Sequence, residues 1–314
     1  MEKMKYLKFK NGDKIPILGL GTWRTEKGKI AEAIQSALDL GYRHFDCAHI
    51  YKNEKEIGEH FSKAFKNNLK REDLWITSKL WNDAHRYEDA KPALEKTLKN
   101  LQTDYLDLYL IHWPIAYKDE KGEAFYSLDE VSLGETWAAM IELKKQGMVK
   151  HIGVSNFSSG KIEEIFNETG EMPEVNQVEL HPYLSQADLK EHADSRGYFL
   201  TGYKPVGNGG KQTDAMRNQH LPGLFLHPVI QEIAQTNQMQ PAQVLLTWQI
   251  QRGIIVIPKS DNAKNQKENL DSLNFELSDA QMKEINQLNT NFRFVDGTEL
   301  INGDAPYTTG DIWA

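Results

Sequence analysis

The chain of 314 residues carries 45 Asp and Glu against 37 Lys and Arg, and it contains a single cysteine. The acidic balance disfavours a nucleic-acid-binding protein, because such a protein needs a basic face for the phosphates. One cysteine excludes an internal disulfide, leaves no zinc ligand cluster and favours a reducing compartment. No window reaches the roughly 20 apolar residues of a membrane span, and the N-terminus lacks the apolar core of a signal peptide. We therefore expect a cytoplasmic protein without a metal, a nucleic-acid partner or a membrane partner.

The first half of the chain alternates short apolar runs with amphipathic stretches. The runs are residues 17–21, 44–48, 74–80 and 105–112. Their apolar residues do not alternate strictly with polar ones, which predicts strands that are buried on both faces. Between the runs, apolar residues recur at helical spacing, as in the stretch from Ile30 to Leu38 that ends at Gly41. This spacing predicts helices with one buried face.

The second half of the chain repeats the alternation. Its apolar runs are residues 149–156, 175–180, 199–204 and 253–258. Two helix starts have the pattern of a capping box, Ser132 with Glu135 and Ser278 with Gln281. Further helical stretches are predicted at 161–166 and around Leu189, Ile230 and Val244.

Eight strand–helix units predict a closed (β/α)8 TIM barrel that forms one domain over residues 1–314. The alternative is an open doubly wound sheet, whose signature is a G-x-G-x-x-G turn after the first strand. Here the first turn lacks the third glycine, and Trp23 stands where a helix should begin. Residues 113–131 and 207–222 are predicted to be long binding loops or lids. The tail, residues 293–314, is predicted to lie over the barrel.

Four ionisable residues coincide with the carboxyl ends of the predicted strands, where a barrel carries its functional groups. Asp46, Lys79 and His112 end the second, third and fourth strands, and Tyr51 follows the second. Each has a structural interpretation when taken alone: a turn residue, a surface lysine, a core histidine and a half-buried aromatic. Their convergence on one rim favours catalysis.

The four residues suit the reduction of a carbonyl group, which needs a hydride on carbon and a proton on oxygen. A phenol has an ordinary pKa of about 10, and a nearby ammonium lowers it. Lys79 can supply that ammonium, Asp46 can hold it in place, and Tyr51 then becomes the proton donor. His112 can orient the carbonyl oxygen through a hydrogen bond, or help to pass the proton. Three tryptophans can line an apolar substrate pocket, although each alone favours core packing: Trp23, Trp81 and Trp113.

Several long segments resemble the aldo-keto reductase family, in particular its aldehyde, aldose and aldose-phosphate reductases. These segments are residues 19–23, 41–54, 77–81 and 104–114, and the resemblance extends from about residue 17 to about residue 293. It implies a TIM barrel that binds a nicotinamide cofactor across its mouth, a small carbonyl substrate and a monomer.

The resemblance also implies a set of cofactor-binding residues. Ser155, Asn156 and Gln177 resemble the group that holds the carboxamide, and Tyr203 resembles the tyrosine that stacks on the nicotinamide. Lys259 and Ser260 resemble the grip on the 2′-phosphate of NADP. The remaining implied contacts are Gly21, Thr22, Trp23 and Asp46 at the mouth, Lys204, Val206 and Asn208 at the pyrophosphate, and Asn265, Glu268 and Asn269 at the adenosine.

One departure from the family pattern concerns the cofactor. Asn265 stands where the family usually has an arginine that stacks on adenine and pairs with the phosphate, although Lys264 is adjacent. Asparagine has neither charge nor a planar cation, which should weaken the grip on NADP. We favour NADP because Lys259 and Ser260 are present, and the use of NAD stays open.

Two alternative functions stay open at this point. One is a regulatory or structural protein that binds the cofactor without turnover, and the other is a lyase that uses Lys79 as a Schiff-base nucleophile. The substrate also stays open among aldehydes, aldoses and sugar phosphates, for which His85 or Arg86 could add charge. If Tyr51 is the acid, reduction should fall and alcohol oxidation should rise at alkaline pH.

Overall fold

The computed structural model of the chain describes residues 4–25, 28–67, 69–301 and 305–314. Its strands are β1 (Tyr6–Lys8), β2 (Lys14–Pro16), β3 (Leu20–Gly21), β4 (His44–Asp46), β5 (Trp75–Leu80), β6 (Leu106–Ile111), β7 (Ala116–Tyr117), β8 (Phe125–Tyr126), β9 (Val149–Ser155), β10 (Val175–Glu179), β11 (Phe199–Tyr203) and β12 (Ile255–Val256). Eight of them form one parallel sheet in the order β3-β4-β5-β6-β9-β10-β11-β12.

The two ends of this sheet meet. Leu18 and Val256 form a parallel bridge, as do Gly21 and Lys259. The Gly19 amide donates to the Val256 carbonyl at 2.8 Å, and the Val256 amide donates to the carbonyl of Ile17 at 2.9 Å. The prediction of a closed (β/α)8 barrel is confirmed, since these bonds join the last strand to the first.

The helices connect the strands on the outside, as the apolar spacing predicted. They are α1 (Ile30–Leu40), α2 (Glu54–Lys66), α3 (Tyr87–Leu101), α4 (Leu133–Lys145), α5 (Ser159–Thr169), α6 (Ala187–Arg196), α7 (Asp214–Asn218), α8 (Pro228–Thr236), α9 (Pro241–Gln251), α10 (Ala263–Asp271), α11 (Asp279–Asn286) and α12 (Thr309–Trp313). Short 3-10 turns lie at His49–Tyr51, Arg71–Asp73, Asn82–Ala84, Leu224–Leu226, Ser272–Asn274 and Thr298–Leu300. None of the helices among the described residues is long and apolar enough to cross a membrane.

The two predicted capping boxes have different outcomes. Ser278 and Gln281 bond reciprocally at the start of α11, so that box is confirmed. At α4, Ser132 Oγ accepts the amide of Glu135 at 3.0 Å. The Glu135 carboxylate does not accept the amide of Ser132 in turn, because it accepts the amide of Tyr87 at the start of α3, also at 3.0 Å. The prediction of a box there was wrong, since a tertiary contact between two helices replaces the local bond.

The tail packs against the 113–131 loop, one of the two long loops. The 113–131 loop contains the hairpin β7–β8, and the 207–222 loop contains α7. From the tail, Tyr307 Oη donates to the Tyr126 carbonyl at 2.6 Å, and the Trp313 ring lies 5.7 Å from that of Trp113. The tail therefore covers this loop, with residues 302–304 outside the described part of the chain.

The hairpin β1–β2 closes the opposite end of the barrel and was not predicted. Phe9 stacks on Trp75 and His151, with ring centroids 5.6 and 4.1 Å away. Both nitrogens of the buried His151 ring face carboxylates, Glu174 at 2.7 Å and Asp13 at 3.0 Å. The hairpin is thus tied to the barrel by stacking and by one buried imidazole.

Candidate active site

Three of the four predicted rim residues meet at one ammonium group. Lys79 is fully buried, and its Nζ donates to Asp46 Oδ1 at 2.7 Å, to the Cys47 carbonyl at 2.9 Å and to Tyr51 Oη at 3.4 Å. A buried charge is tolerated when it is paired and its donors are satisfied. The sequence prediction that Asp46 holds Lys79 beside Tyr51 therefore matches the geometry.

The strand register explains why these side chains meet. Asp46 is the last residue of β4 and lies opposite Thr77 of β5. Lys79 stands two residues beyond Thr77, so its side chain points to the same face of the strand. Tyr51 is brought back by the 3-10 turn His49–Tyr51, whose Tyr51 amide donates to the carbonyl of Ala48 at 3.0 Å.

The pKa of Tyr51 differs in direction from the sequence expectation. Burial raises this pKa well above its ordinary value, and the negative charge of Asp46 raises it further. We expected the Lys79 ammonium to lower it. That expectation was wrong, because the phenolate would be desolvated and repelled by the Asp46 carboxylate, and these two effects outweigh the Lys79 ammonium. Tyr51 consequently keeps its proton at neutral pH and is a donor.

His112 follows β6 and lies beside Tyr51. Its ring packs edge-on against the Tyr51 ring at 6.0 Å and against the Trp81 ring at 5.1 Å. Burial lowers the pKa of His112 well below its ordinary value, and the nearby Lys79 adds to this effect. Its Nδ1 is buried and has no hydrogen-bond partner among the described residues. The imidazole is thus neutral and can donate one hydrogen bond.

The predicted carboxamide group forms a hydrogen-bonded chain that ends on Asp46. Gln177 Nε2 donates to Asp46 Oδ2 at 2.7 Å, and Ser155 Oγ donates to the Gln177 carbonyl at 2.8 Å. Asn156 Nδ2 donates to Ser155 Oγ at 3.1 Å, while Tyr203 Oη donates to Asn156 Oδ1 at 2.8 Å. The backbone of Asn156 is left-handed, with φ of 63°, a conformation that asparagine tolerates. The site therefore contains one continuous polar network.

The predicted pyrophosphate residues lie after β11. Lys204 Nζ donates to Asn208 Oδ1 at 3.0 Å. Val206, which lies between these two residues in the sequence, is partly buried against the core. Burial lowers the pKa of Lys204, the carboxylate of Glu179 opposes this, and the positive charge of Arg24 lowers it further. Two cations on neighbouring parts of the mouth, Lys204 after β11 and Arg24 after β3, therefore act on each other. Arg24 was not predicted, although it directly follows Trp23.

The predicted adenosine residues surround the start of α10. Lys259 Nζ lies 2.9 Å from Asp261 Oδ2, and Ser260 Oγ donates to the Asn262 carbonyl at 3.1 Å. Glu268 lies 3.7 Å from the ammonium of Lys264, and Asn265 and Asn269 belong to the same helix. The bridge between Gly21 and Lys259 places this group on the same rim as the catalytic candidates. Thr22 is part of that connection, because its Oγ1 donates to the Asp46 carbonyl at 2.8 Å.

The three predicted substrate tryptophans have different environments. Trp23 is exposed, with its ring 4.8 Å from that of Tyr51, and Trp81 packs on His112. Trp113 is almost fully buried in a cluster with the tail. Trp23 and Trp81 thus flank the reacting end of the site, whereas Trp113 connects it to the tail.

Comparisons with known proteins identify the family. Residues 17–290 match the sequence profile of the aldo/keto reductase family. The chain belongs to this family. It is 45% identical to an aldo/keto reductase of Synechocystis over 100% of this chain and 97% of that protein. It is 43% identical to human aldo-keto reductase family 1 member A1, over 90% of this chain and 89% of the relative.

A solved structure agrees with the barrel. The aldose reductase from Schistosoma japonicum superimposes with a TM-score of 0.83 at 41% identity, covering 93% of this chain and 94% of that one. Aldo/keto reductases are oxidoreductases that use nicotinamide cofactors, so this chain is an oxidoreductase. The resemblance found in the sequence segments is confirmed.

The structure also shows a buried carboxyl group behind the site of this aldo/keto reductase. Glu54 Oε1 accepts from Ser78 Oγ at 2.6 Å, and Ser78 precedes Lys79. Burial raises the pKa of Glu54 to about 7. The buried position of this carboxyl group was not predicted, because Glu54 reads in the sequence as an ordinary acidic residue at a helix start.

In the loop after β5, His85 does not supply the charge that we suggested for a sugar phosphate. His85 is buried, and burial lowers its pKa to about 3, so the ring is neutral. The Arg86 guanidinium stacks over the Tyr126 ring at 4.6 Å. That suggestion was wrong for His85, since its exposure is not visible in the sequence.

Proposed function

We propose that this chain reduces aldehydes and ketones to alcohols with a nicotinamide cofactor, and that Tyr51 donates the proton. The observation that carries the proposal is the Lys79 ammonium, which is held by Asp46 and donates to Tyr51 Oη at 3.4 Å. A carbonyl oxygen in contact with Tyr51 and His112 would meet two hydrogen-bond donors. The bound cofactor supplies the hydride to the carbonyl carbon.

Proton transfer from Tyr51 follows from the charges around it. The raised pKa keeps the phenol protonated until a stronger base, the developing alkoxide, is formed beside it. The phenolate that results is stabilised by the Lys79 ammonium, whose position depends on Asp46. His112 is neutral and orients the oxygen without repelling Lys79. The pair of Lys79 and Tyr51 therefore works as one acid.

The polar network suits the nicotinamide end of the cofactor. An amide needs both donors and acceptors, and Ser155, Asn156 and Gln177 supply hydroxyl and amide groups within one connected set. The Tyr203 side chain is anchored by its bond to Asn156, which fixes its ring as a stacking surface. These four residues would hold the carboxamide and select the ring face that offers the hydride.

The basic residues suit the phosphates. Lys204, Asn208 and Arg24 would bind the pyrophosphate, with Gly21, Thr22 and Trp23 forming the facing wall and Val206 beneath. Lys259 and Ser260 would contact the 2′-phosphate of NADP, while Asn265, Glu268 and Asn269 would meet the adenosine. We propose NADPH as a cofactor on this basis, and the neutral Asn265 opens the site to NADH as well.

The proposed substrates are small aldehydes and ketones, including aldoses, and one monomeric domain over residues 1–314 suffices for the reaction. Trp23 and Trp81 would enclose the carbonyl carbon, and Trp113 would support the pocket from behind. The geometry disfavours a Schiff-base lyase, because Lys79 is fully buried and its ammonium already has three acceptors.

The test is turnover of a panel of aromatic aldehydes, aliphatic aldehydes and aldoses with NADPH and with NADH. The wild type should reduce several of them, and Tyr51→Phe should lose at least about a hundredfold in rate. Tyr6→Phe is the matched control, since Tyr6 lies exposed on β1 at the other end of the barrel. Equal turnover by Tyr51→Phe and the wild type would overturn the role of Tyr51.

A further inference from the structure

In the segment from Lys259 to Asn265, the donors that we propose for a 2′-phosphate already form hydrogen bonds with neighbouring residues. The Lys259 ammonium donates to Asp261 Oδ2 at 2.9 Å, and both side chains are about one-third exposed. The Ser260 hydroxyl donates to the Asn262 carbonyl at 3.1 Å and accepts the Asn262 amide at 3.2 Å. A phosphate entering here must therefore displace existing bonds.

The start of α10 is closed in the same way. Asn262 Oδ1 accepts the amides of Lys264 at 2.9 Å and Asn265 at 3.2 Å. Free amides in the first turn of a helix are the groups that bind phosphate. Because the side chain of Asn262 occupies two of them, the helix offers less to an anion than an uncapped helix would.

The charges of the segment also disfavour a phosphate dianion. The hydrogen bond from Lys259 lowers the pKa of the Asp261 carboxyl, although partial burial opposes this, and Lys29 adds a smaller favourable charge. Asp261 is thus ionised at neutral pH. The neighbouring Lys264 is highly exposed and lies 3.7 Å from Glu268, while Asn265 carries no charge. Lys259 and Lys264 are accordingly each paired with a carboxylate, Asp261 and Glu268.

The charges that disfavour a 2′-phosphate favour the 2′-hydroxyl of NAD. An acidic side chain accepts a hydrogen bond from the 2′-hydroxyl of NAD, whereas it repels the 2′-phosphate of NADP. Asp261 is partly exposed, so its carboxylate is accessible for such a bond. The same side chain therefore favours one cofactor and weakens the other.

We propose that Asp261 sets the cofactor preference of this chain, by neutralising Lys259 toward a 2′-phosphate and by accepting a bond from a 2′-hydroxyl. NADH then binds about as tightly as NADPH, within roughly tenfold. This inference rests on the proposed nicotinamide-dependent function. It assigns a specificity role to a residue outside the set implied by the sequence.

The test measures binding rather than turnover. Dissociation constants for NADPH and NADH are obtained by quenching of tryptophan fluorescence, and those for 2′,5′-ADP and 5′-ADP by calorimetry. Asp261→Asn removes one charge and keeps the shape of the side chain. Asp271→Asn is the control, because it removes the same charge at the other end of α10, where Asp271 pairs with Lys267 at 2.8 Å.

In Asp261→Asn, the ratio of the NADH to the NADPH dissociation constant should rise by about tenfold or more, and the ADP pair should follow it. Added salt should reduce the shift, since the group is partly exposed. Asp271→Asn should leave the ratio unchanged. An unchanged ratio in Asp261→Asn, or an equal shift in the control, would overturn the role of Asp261.

Two further results separate this inference from the proposed function. A wild type that binds NADPH more than about tenfold tighter than NADH overturns the inference alone, because the enzyme still binds its cofactor. A wild type that binds neither dinucleotide overturns the proposed function, and the inference falls with it.

Discussion

Lys79 Nζ and Asp46 Oδ1 lie 2.7 Å apart in a part of the barrel mouth where both side chains are almost completely covered. The pair fixes the ammonium at the point where it also contacts Tyr51. A buried pair of this kind adds little net stability, but removing one partner leaves an uncompensated charge. The pair serves to position the Lys79 ammonium beside the Tyr51 phenol.

The first prediction concerns this pair. Asp46→Asn leaves the Lys79 ammonium buried without its counterion, so we expect a loss of about 3–5 kcal/mol in the free energy of unfolding. Urea denaturation measures it. Asp194→Asn is the control, because Asp194 is exposed and pairs with Lys190 on the surface of α6, and it should change little. An Asp46→Asn variant as stable as the control would contradict the buried pair.

The second prediction is the pH dependence of reduction. Reduction needs the protonated phenol, which is present below the pKa of Tyr51 and lost above it. Since burial raises that pKa, the rate of reduction should stay level through the range around the ordinary tyrosine value of about 10 and fall only beyond it. Alcohol oxidation, which needs the phenolate, should still be rising there. The measurement is kcat/KM for both directions against pH, and a fall in reduction near neutral pH would contradict the assignment.

The third prediction concerns stability and Glu54. Burial raises the pKa of Glu54 from 4.5 to about 7, so the native state holds a proton that the unfolded state releases between these values. Stability is therefore greatest below about pH 4.5 as far as this group is concerned, and it falls by up to about 3 kcal/mol as the pH rises to 7. Glu54→Gln should abolish this fall. The role of Glu54 is ruled out if the difference in unfolding free energy between the wild type and Glu54→Gln is the same at about pH 5 and at about pH 8.

The fourth prediction concerns the cations that we place at the pyrophosphate. Lys204→Met removes a charge that both cofactors would use, so the dissociation constants of NADPH and NADH should rise together by about tenfold. Fluorescence titration measures both. Lys211→Met is the control, since Lys211 is exposed in the same loop and no cofactor contact is proposed for it. A change confined to NADPH would place Lys204 at the 2′-phosphate instead.

The sequence predicted the barrel and the position of its catalytic candidates because both depend on regular rules. Apolar runs marked the strands, and the carboxyl ends of parallel strands must share one rim, which brought Asp46, Lys79 and His112 together. The hairpin β1–β2 was not predicted, because strands of three residues carry no periodic signal and this hairpin is held by tertiary stacking through Phe9.

What the sequence did not predict depends on burial and on distant neighbours. The direction of the Tyr51 pKa shift requires knowing how deeply the phenol is buried and how close the Asp46 carboxylate lies to it. The hydrogen bond from the Tyr87 amide to the Glu135 carboxylate joins residues 48 positions apart, and it replaces the local capping box that the spacing predicted. Trp113 matched a substrate position in the sequence, and its burial against the tail became visible only in three dimensions.

A double-mutant cycle on kcat/KM for an aldehyde decides whether Lys79 acts through Tyr51. Tyr51→Phe and Lys79→Met should each lose at least about a hundredfold, and the double variant should lose no more than Tyr51→Phe alone, because residues acting as one unit are not additive. Losses that multiply in the double variant would show that the two residues act independently. That result, or a Tyr51→Phe enzyme with nearly full activity, would show that Lys79 and Tyr51 do not act as one acid.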